Sequence, residues 1–324
     1  MMRAAFVVPE PTGGRLEVRE TEIPQVAPGR VLVRVKASGL NRGEVLLKHA
    51  ALKGAPYIGG VEFAGEVAAL GDGVTGHTLG QRVMGHGAAT QADYVAVEPR
   101  ALMPMPSNLS WVEAAAFANV FVTAHDAIVT AGGFKAGESV LVNAASSGIG
   151  IAAVQIAKVL GAKAVIGTSR NRGKLERIKP LGLTHAVVAP GEPLGAAIKA
   201  ATDGRGVDLV IDTVGGPALP ESIKVMAVNG RLVNIGRMGG RNGELDLERL
   251  SFFGLKLIGV SFRARTREQT LDCIQACARD LLSHLASGAI RIPIEQTFRL
   301  EDIAAAHDFA ERDAHVGKIV LTLD

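Results

Sequence analysis

The most legible chemistry lies in Val140-Leu141-Val142-Asn143-Ala144-Ala145-Ser146-Ser147-Gly148-Ile149-Gly150. A short apolar run leads into a turn of small residues, and Ile151–Leu160 then follows helical periodicity. Dinucleotide-binding chains place G-x-G-x-x-G at such a strand–turn–helix. Here the three glycine positions hold Ala145, Ser147 and Gly150, so the bare pattern is broken twice. Its physics is kept. Ala and Ser are small enough for backbone N–H groups to approach a pyrophosphate, Gly150 permits close helix-to-strand packing, and the helix N-terminus presents partial positive charge. Ser146, Ser147, Gly148, Ile149 and Gly150 are therefore the candidate pyrophosphate cradle, with two hydroxyls as further donors. An ordinary connection without a ligand would share the local pattern, and the motif alone leaves that open.

About 20 residues after such a turn, a domain that prefers NAD carries an acidic residue for the ribose 2′-hydroxyl. The stretch here is Gly167-Thr168-Ser169-Arg170-Asn171-Arg172-Gly173-Lys174, with no carboxylate. Arg170 and Lys174 suit a 2′-phosphate, and Ser169 can donate to it, which favours NADPH over a solvated basic turn.

These residues need elements to position them. At 324 residues, with 48% apolar side chains, the chain has material for two domains. The first third is β-rich, with candidate strands at Arg3–Val8, Leu16–Thr21, Val31–Ala37, Ala64–Leu70, Gln81–Met84 and Ala92–Val97 and a helix at Arg42–His49. After Pro104 and Pro106, Trp111–Phe117 and Phe121–Ala131 look helical. Short apolar runs then alternate with amphipathic ones: Val140–Asn143, Ala164–Gly167, Ala186–Val188, Leu209–Thr213, Leu232–Ile235 and Leu257–Val260. That alternation predicts a parallel sheet with helices on both faces. A long helix over Arg267–Ala286 follows, then strands at Ile294–Phe298 and Lys318–Leu323 that return to the first domain. The expected division is 1–118 completed by 288–324, and 119–287.

The net charge of +3 has no Lys/Arg cluster behind it, which argues against nucleic acid or a membrane surface as partner. No segment reaches the ~20 apolar residues of a membrane span, and a cytoplasmic location is expected. The two cysteines, Cys273 and Cys277, read as buried reduced thiols.

Four stretches in order resemble the medium-chain dehydrogenase/reductase superfamily, specifically its zinc-free quinone oxidoreductase branch. They are Ala37-Ser38-Gly39-Leu40-Asn41-Arg42-Gly43-Glu44, Gly60-Val61-Glu62-Phe63-Ala64-Gly65-Glu66-Val67, the turn Ala144–Gly150, and His315-Val316-Gly317-Lys318-Ile319-Val320-Leu321. The resemblance implies an α/β protein with a GroES-like β-rich catalytic domain and a Rossmann-type doubly wound parallel-sheet domain for NADPH. Zinc-dependent relatives need a Cys near position 41 and a His before Glu62. Asn41 and Val61 stand there, and no cysteine lies between Val83 and Val97, so no metal is expected. The branch usually has Gly-Asp-Arg-Val where this chain has Gly80-Gln81-Arg82-Val83, a difference confined to a turn.

Without a Lewis acid, a developing oxyanion needs hydrogen-bond donors and exclusion of water. Asn41, at a strand end, is the first candidate for a polar group facing substrate. The resemblance sets it beside the nicotinamide, although an Asn there also suits a helix N-cap. Thr123 matches the family's cofactor-contacting threonine. Ile235, Gly236, Arg237 and Phe262 would line the nicotinamide side, and Lys318 would approach the adenosine phosphate. Tyr57 is a candidate proton donor whose structural reading is stronger, and Glu62 reads as a support for local backbone rather than a base. The implied activity is NADPH-dependent reduction of quinones or α,β-unsaturated carbonyls in an interdomain cleft. An enoyl-thioester reductase and a non-catalytic NADPH-binding structural or regulatory protein are the alternatives. An uncovered last strand at Leu257–Val260 and the resemblance both point to a homodimer.

Overall fold

The structure is a computed structural model that describes residues 1–11, 13–49 and 54–323. It divides into two compact units. The first comprises Met1–Asn119, Leu271–Leu282 and Ile292–Asp324, and the second comprises Val120–Thr270 and Ser283–Arg291. The middle of the long helix Arg267–Ala286 thus belongs with the first unit, a placement its amphipathic spacing did not indicate. Leu271, Ile274, Cys277 and Leu281 are buried along it, and Gln275 Nε2 donates to Arg100 O at 2.7 Å.

In the first unit, strands β1 (Met2–Glu10), β2 (Gly13–Thr21), β3 (Val31–Leu40), β4 (Tyr57–Ile58), β5 (Glu62–Leu70), β6 (Arg82–His86), β7 (Tyr94–Val97) and β8 (Leu102–Pro104) build two sheets. The two-residue β4 and the short β8 are too brief to show a period of two in the sequence. The second unit supplies β9 (Ser139–Val142), β10 (Ala164–Ser169), β11 (His185–Val188), β12 (Val207–Asp212), β13 (Met226–Asn234) and β14 (Lys256–Gly259). All pair in parallel in the order β11-β10-β9-β12-β13-β14, the expected Rossmann-type sheet. On one face Leu141, Ile166, Val210 and Leu232 join Ile198 and Ile223 of flanking helices in one core cluster. Their neighbours Val140, Val142 and Val165 are equally buried, so both faces are covered.

The C-terminal strands β15 (Ile294–Arg299) and β16 (Lys318–Thr322) extend the first unit's larger sheet. β16 runs antiparallel to β3, setting Ile319 opposite Leu40 and Leu321 opposite Ser38. Gly317 turns the chain into β16 at φ +94°, where a Cβ would fall 2.2 Å from Pro293 O. The expected helix Phe121–Ala131 is in fact an α-helix, Ala118–His125, running into a π-helical turn, Asp126–Ala131. Among the described residues no helix is long and apolar enough to cross a membrane.

Candidate functional site

The first unit gathers its polar residues around one carboxylate. Glu62 begins β5 and is 0% exposed. Its Oε1 accepts from Lys318 Nζ at 2.7 Å and from Asn41 Nδ2 at 2.9 Å, while Oε2 accepts from Asn119 N at 2.7 Å. Lys318 Nζ also donates to Asn41 Oδ1 at 2.6 Å and to Leu40 O at 3.0 Å. Asn119 Nδ2 closes the knot on Asn41 Oδ1 at 2.8 Å. The backbone carbonyl of Glu62 is itself fixed by the hydroxyls of Ser38 and Thr90. Gly39 explains its place in the motif: a Cβ there would lie 2.4 Å from Glu62 Oε1.

Two expectations change with this geometry. Lys318 is 4% exposed and its three N–H bonds end on protein acceptors, so it serves as counter-charge to Glu62 and not as a reader of adenosine phosphate. Burying a carboxylate without a cation would be far more costly, which is the physical reason it is there. Asn41 is held by four hydrogen bonds, of which only the contact of Nδ2 with Gly39 O is long, at 3.4 Å. That one N–H is what the carboxamide has left to offer a ligand. Asn41 also precedes the helix Arg42–Lys48, and its own N–H donates to Glu44 Oε2 at 2.7 Å.

Glu44 is drawn into the same neighbourhood. Gln91 Nε2 donates to its Oε1 at 3.2 Å, and burial pushes its pKa up to about 7. Tyr57 lies on β4, more than a third exposed, with its phenol raised above the ordinary range by burial and by the charge of Glu44. Asn119 and Gln91 escaped the sequence reading. A visible signal for Asn119 is a lone amide inside the apolar run Ala114–Val122.

In the second unit, the turn after β9 has the form that the sequence predicted. Ser147 caps the helix Gly148–Val159, its Oγ accepting from Gly150 N at 3.1 Å. A Cβ at Gly150 would lie 2.4 Å from Ala144 O. The amides of Gly148 and Ile149 have no protein acceptor among the described residues, so they are available to an anion at the helix N-terminus. Ser146 Oγ meets Ser169 Oγ at 3.1 Å, joining the turn to the end of β10. Arg170 follows, exposed, and Asn171 caps the helix Arg172–Ile178 by accepting from Lys174 N at 3.1 Å. No acidic residue stands between Gly167 and Lys174. These residues fit a pyrophosphate with a phosphorylated ribose.

The strand ends beside this turn are stitched together by uncharged donors. Thr168 Oγ1 donates to Asn143 Oδ1 at 3.2 Å, and Asn143 Nδ2 donates to Asp212 Oδ1 at 3.2 Å. Asn234 Nδ2 donates to Asp212 Oδ2 at 3.0 Å. Ile235 N and Gly236 N both donate to Asp212 O, which fixes the segment leading to the exposed Arg237. Thr123 is buried in its helix. Phe262 lies just after β14 in a 3-10 turn, 4.7 Å beneath the Arg265 guanidinium, which pairs with buried Asp126 at 2.6 Å. Cys277 is buried and its thiol is pushed up by desolvation, whereas Cys273 is only partly buried. Among the described residues no cluster of three or more His, Cys, Asp or Glu could hold a metal ion.

Residues 27–131 match the family described as alcohol dehydrogenase GroES-like domain, and residues 148–276 match zinc-binding dehydrogenase. The chain is 31% identical, over 99% of its length, to a phenolphthiocerol/phthiocerol polyketide synthase chain of Mycobacterium tuberculosis, of which it spans 15%. Among solved structures it resembles an alcohol dehydrogenase superfamily protein from Novosphingobium aromaticivorans, with TM-score 0.90 and 29% identity over all of both chains. It also resembles a quinone oxidoreductase of Pseudomonas syringae pv. Tomato, with TM-score 0.86 and 27% identity over all of both chains. The chain therefore belongs to the medium-chain dehydrogenase/reductase superfamily, in its quinone oxidoreductase-like branch.

Proposed function

We propose that this oxidoreductase uses NADPH to reduce quinones or α,β-unsaturated carbonyls without a metal ion. The observation that carries the reading is the end of β10, where Ser169 and Arg170 follow a small-residue turn and the stretch Gly167–Lys174 holds no acidic residue. When bound, NADPH would supply the hydride. Ser146, Ser147 and the amides of Gly148 and Ile149 hold the pyrophosphate, Gly150 keeps the turn tight, and Ser169, Arg170 and Lys174 read the 2′-phosphate. Thr123, Ile235, Gly236, Arg237 and Phe262 shape the nicotinamide side. Asn41 offers its remaining N–H, and Tyr57, which holds its proton at neutral pH, donates a hydrogen bond to the developing oxyanion. A carboxamide and a valine at positions 41 and 61 are unsuited to zinc, which supports a metal-free reaction.

An enoyl-thioester reductase is the second reading, favoured by the end-to-end similarity to part of a polyketide synthase. We also propose a homodimer. β14 is a sheet edge, and a second copy would take up its unpaired backbone. Sedimentation at a single-chain mass across micromolar concentrations would end that idea.

The test is NADPH oxidation by chelator-treated protein on adding a planar ortho-quinone, with NADH and a crotonyl thioester run in parallel. Rapid turnover with NADPH and quinone, at least tenfold faster than with NADH, is the expected result. Turnover with the thioester alone would move the assignment to the second reading. Tight NADPH binding with no turnover on any acceptor would leave a binding protein.

A further inference from the structure

A cavity of about 270 Å³ opens at the carboxyl ends of β12, β13 and β14, within the second unit. Its floor is aliphatic. Leu232 and Leu257 are register partners on adjacent strands and so project from the same sheet face, and Leu219 of the helix Ala218–Val225 adds to them. Arg237 and Arg241 line the same cavity. Both are exposed, and among the described residues neither has an ion-pair partner. Elsewhere in this unit arginines find acids: Arg231 meets Glu138 at 2.7 Å and Arg265 meets Asp126 at 2.6 Å.

The segment bearing the two arginines is fastened down. Gly240 forms a β-bridge with Gly215, and Gly239 N donates to Val214 O at 2.8 Å. A Cβ at Gly216, which has φ +39°, would come within 3.0 Å of Gly240 Cα, so only glycine allows this approach. Arg237 and Arg241 therefore flank a fixed point, and little order has to be gained on binding. The one carboxylate in the lining does not oppose an anion. Asp212 is 1% exposed, and its oxygens accept from Asn143, Asn234 and the amides of Val214 and Gly215.

We propose that this cavity binds a small aliphatic anion, with the acid group between Arg237 and Arg241 and the tail on the three leucines. Planar guanidinium groups suit carboxylate and phosphate oxygens. The volume falls just short of the ~300–1,000 Å³ usual for drug-sized ligands, which fits a short chain or the end of a longer one. The cavity shares Arg237 with the nicotinamide side proposed above, and binding measured without cofactor distinguishes the two roles.

Titration calorimetry of the intact chain, with no cofactor added, tests it. The probes are hexanoate, hexyl phosphate and hexanol, and inorganic phosphate shows what the head group does alone. Saturable binding of hexanoate or hexyl phosphate, at least tenfold tighter than hexanol or inorganic phosphate, is expected. Which of the two binds more tightly identifies the acid group. Arg241→Ala should weaken that binding at least tenfold and Arg241→Glu should abolish it, with the circular dichroism spectrum unchanged. Binding of neither acid, equal binding of hexanol, or indifference to both Arg241 substitutions overturns the proposal.

Discussion

Both units bury a carboxylate, and they neutralise it differently. In the first, Glu62 has a cation: Lys318 contacts it directly, and the Asn41 carboxamide and the Asn119 backbone amide take up what remains. In the second, Asp212 has only dipoles among the described residues, from Asn143, Asn234 and two backbone amides. A close ion pair uses up its donors and leaves little for a ligand. A carboxylate held by amides fixes the strand ends and leaves a neighbouring cation, Arg237, outside the network. The first unit thus commits a cation to its buried carboxylate, and the second does not.

The largest effect that would break this contrast is Lys318→Met. Removing one member of a buried pair strands a charge, and about 3–5 kcal/mol of stability should be lost in urea unfolding. Lys318→Met combined with Glu62→Gln should recover much of it. A single variant as stable as the parent would show that Glu62 does not need its cation. The recognition side sharpens the contrast next. Arg170→Ala with Lys174→Ala should lower the preference for NADPH over NADH at least tenfold, about 1.4 kcal/mol, with little change in melting temperature. A fall in stability with selectivity intact would mean that the basic turn is structural.

The smallest effect concerns Glu44. Its folded-state pKa, about 7, lies above the ordinary value, so its contribution to stability is fully present below about 4.5 and is lost as pH rises through 7. Glu44→Gln should therefore stabilise the protein relative to the parent at pH 8 more than at pH 5. A melting-temperature difference that is the same at both pH values would show that the carboxyl is not strained. His307 gives the opposite sign. Burial holds its imidazole down at about 4, so the stability it contributes is present above 6.5 and is lost as pH falls through 4.

The parallel sheet was legible because each strand is a short apolar run with a helical stretch after it. The small-residue turn was legible because Ser147 and Gly150 carry a local cap and a local packing demand. Lys318 was misplaced for the opposite reason. Its partner is 256 residues away, and no local spacing encodes that meeting. Asn143, Asp212 and Asn234 were visible as polar residues ending three apolar strands, yet their mutual bonding depends on the strand order β9-β12-β13, which periodicity alone does not give. Asn119 and Gln91 act through side chains drawn from separate elements, so their role emerged only in three dimensions.

That separation of 256 residues has a consequence during synthesis. Glu62 emerges from the ribosome 256 residues before the ammonium group that neutralises it, with the whole second unit made in between. Until then β3 lacks its partner β16, and β5 begins at a carboxylate with no cation to meet it. The first unit's larger sheet is therefore complete only after all of the second unit has been made.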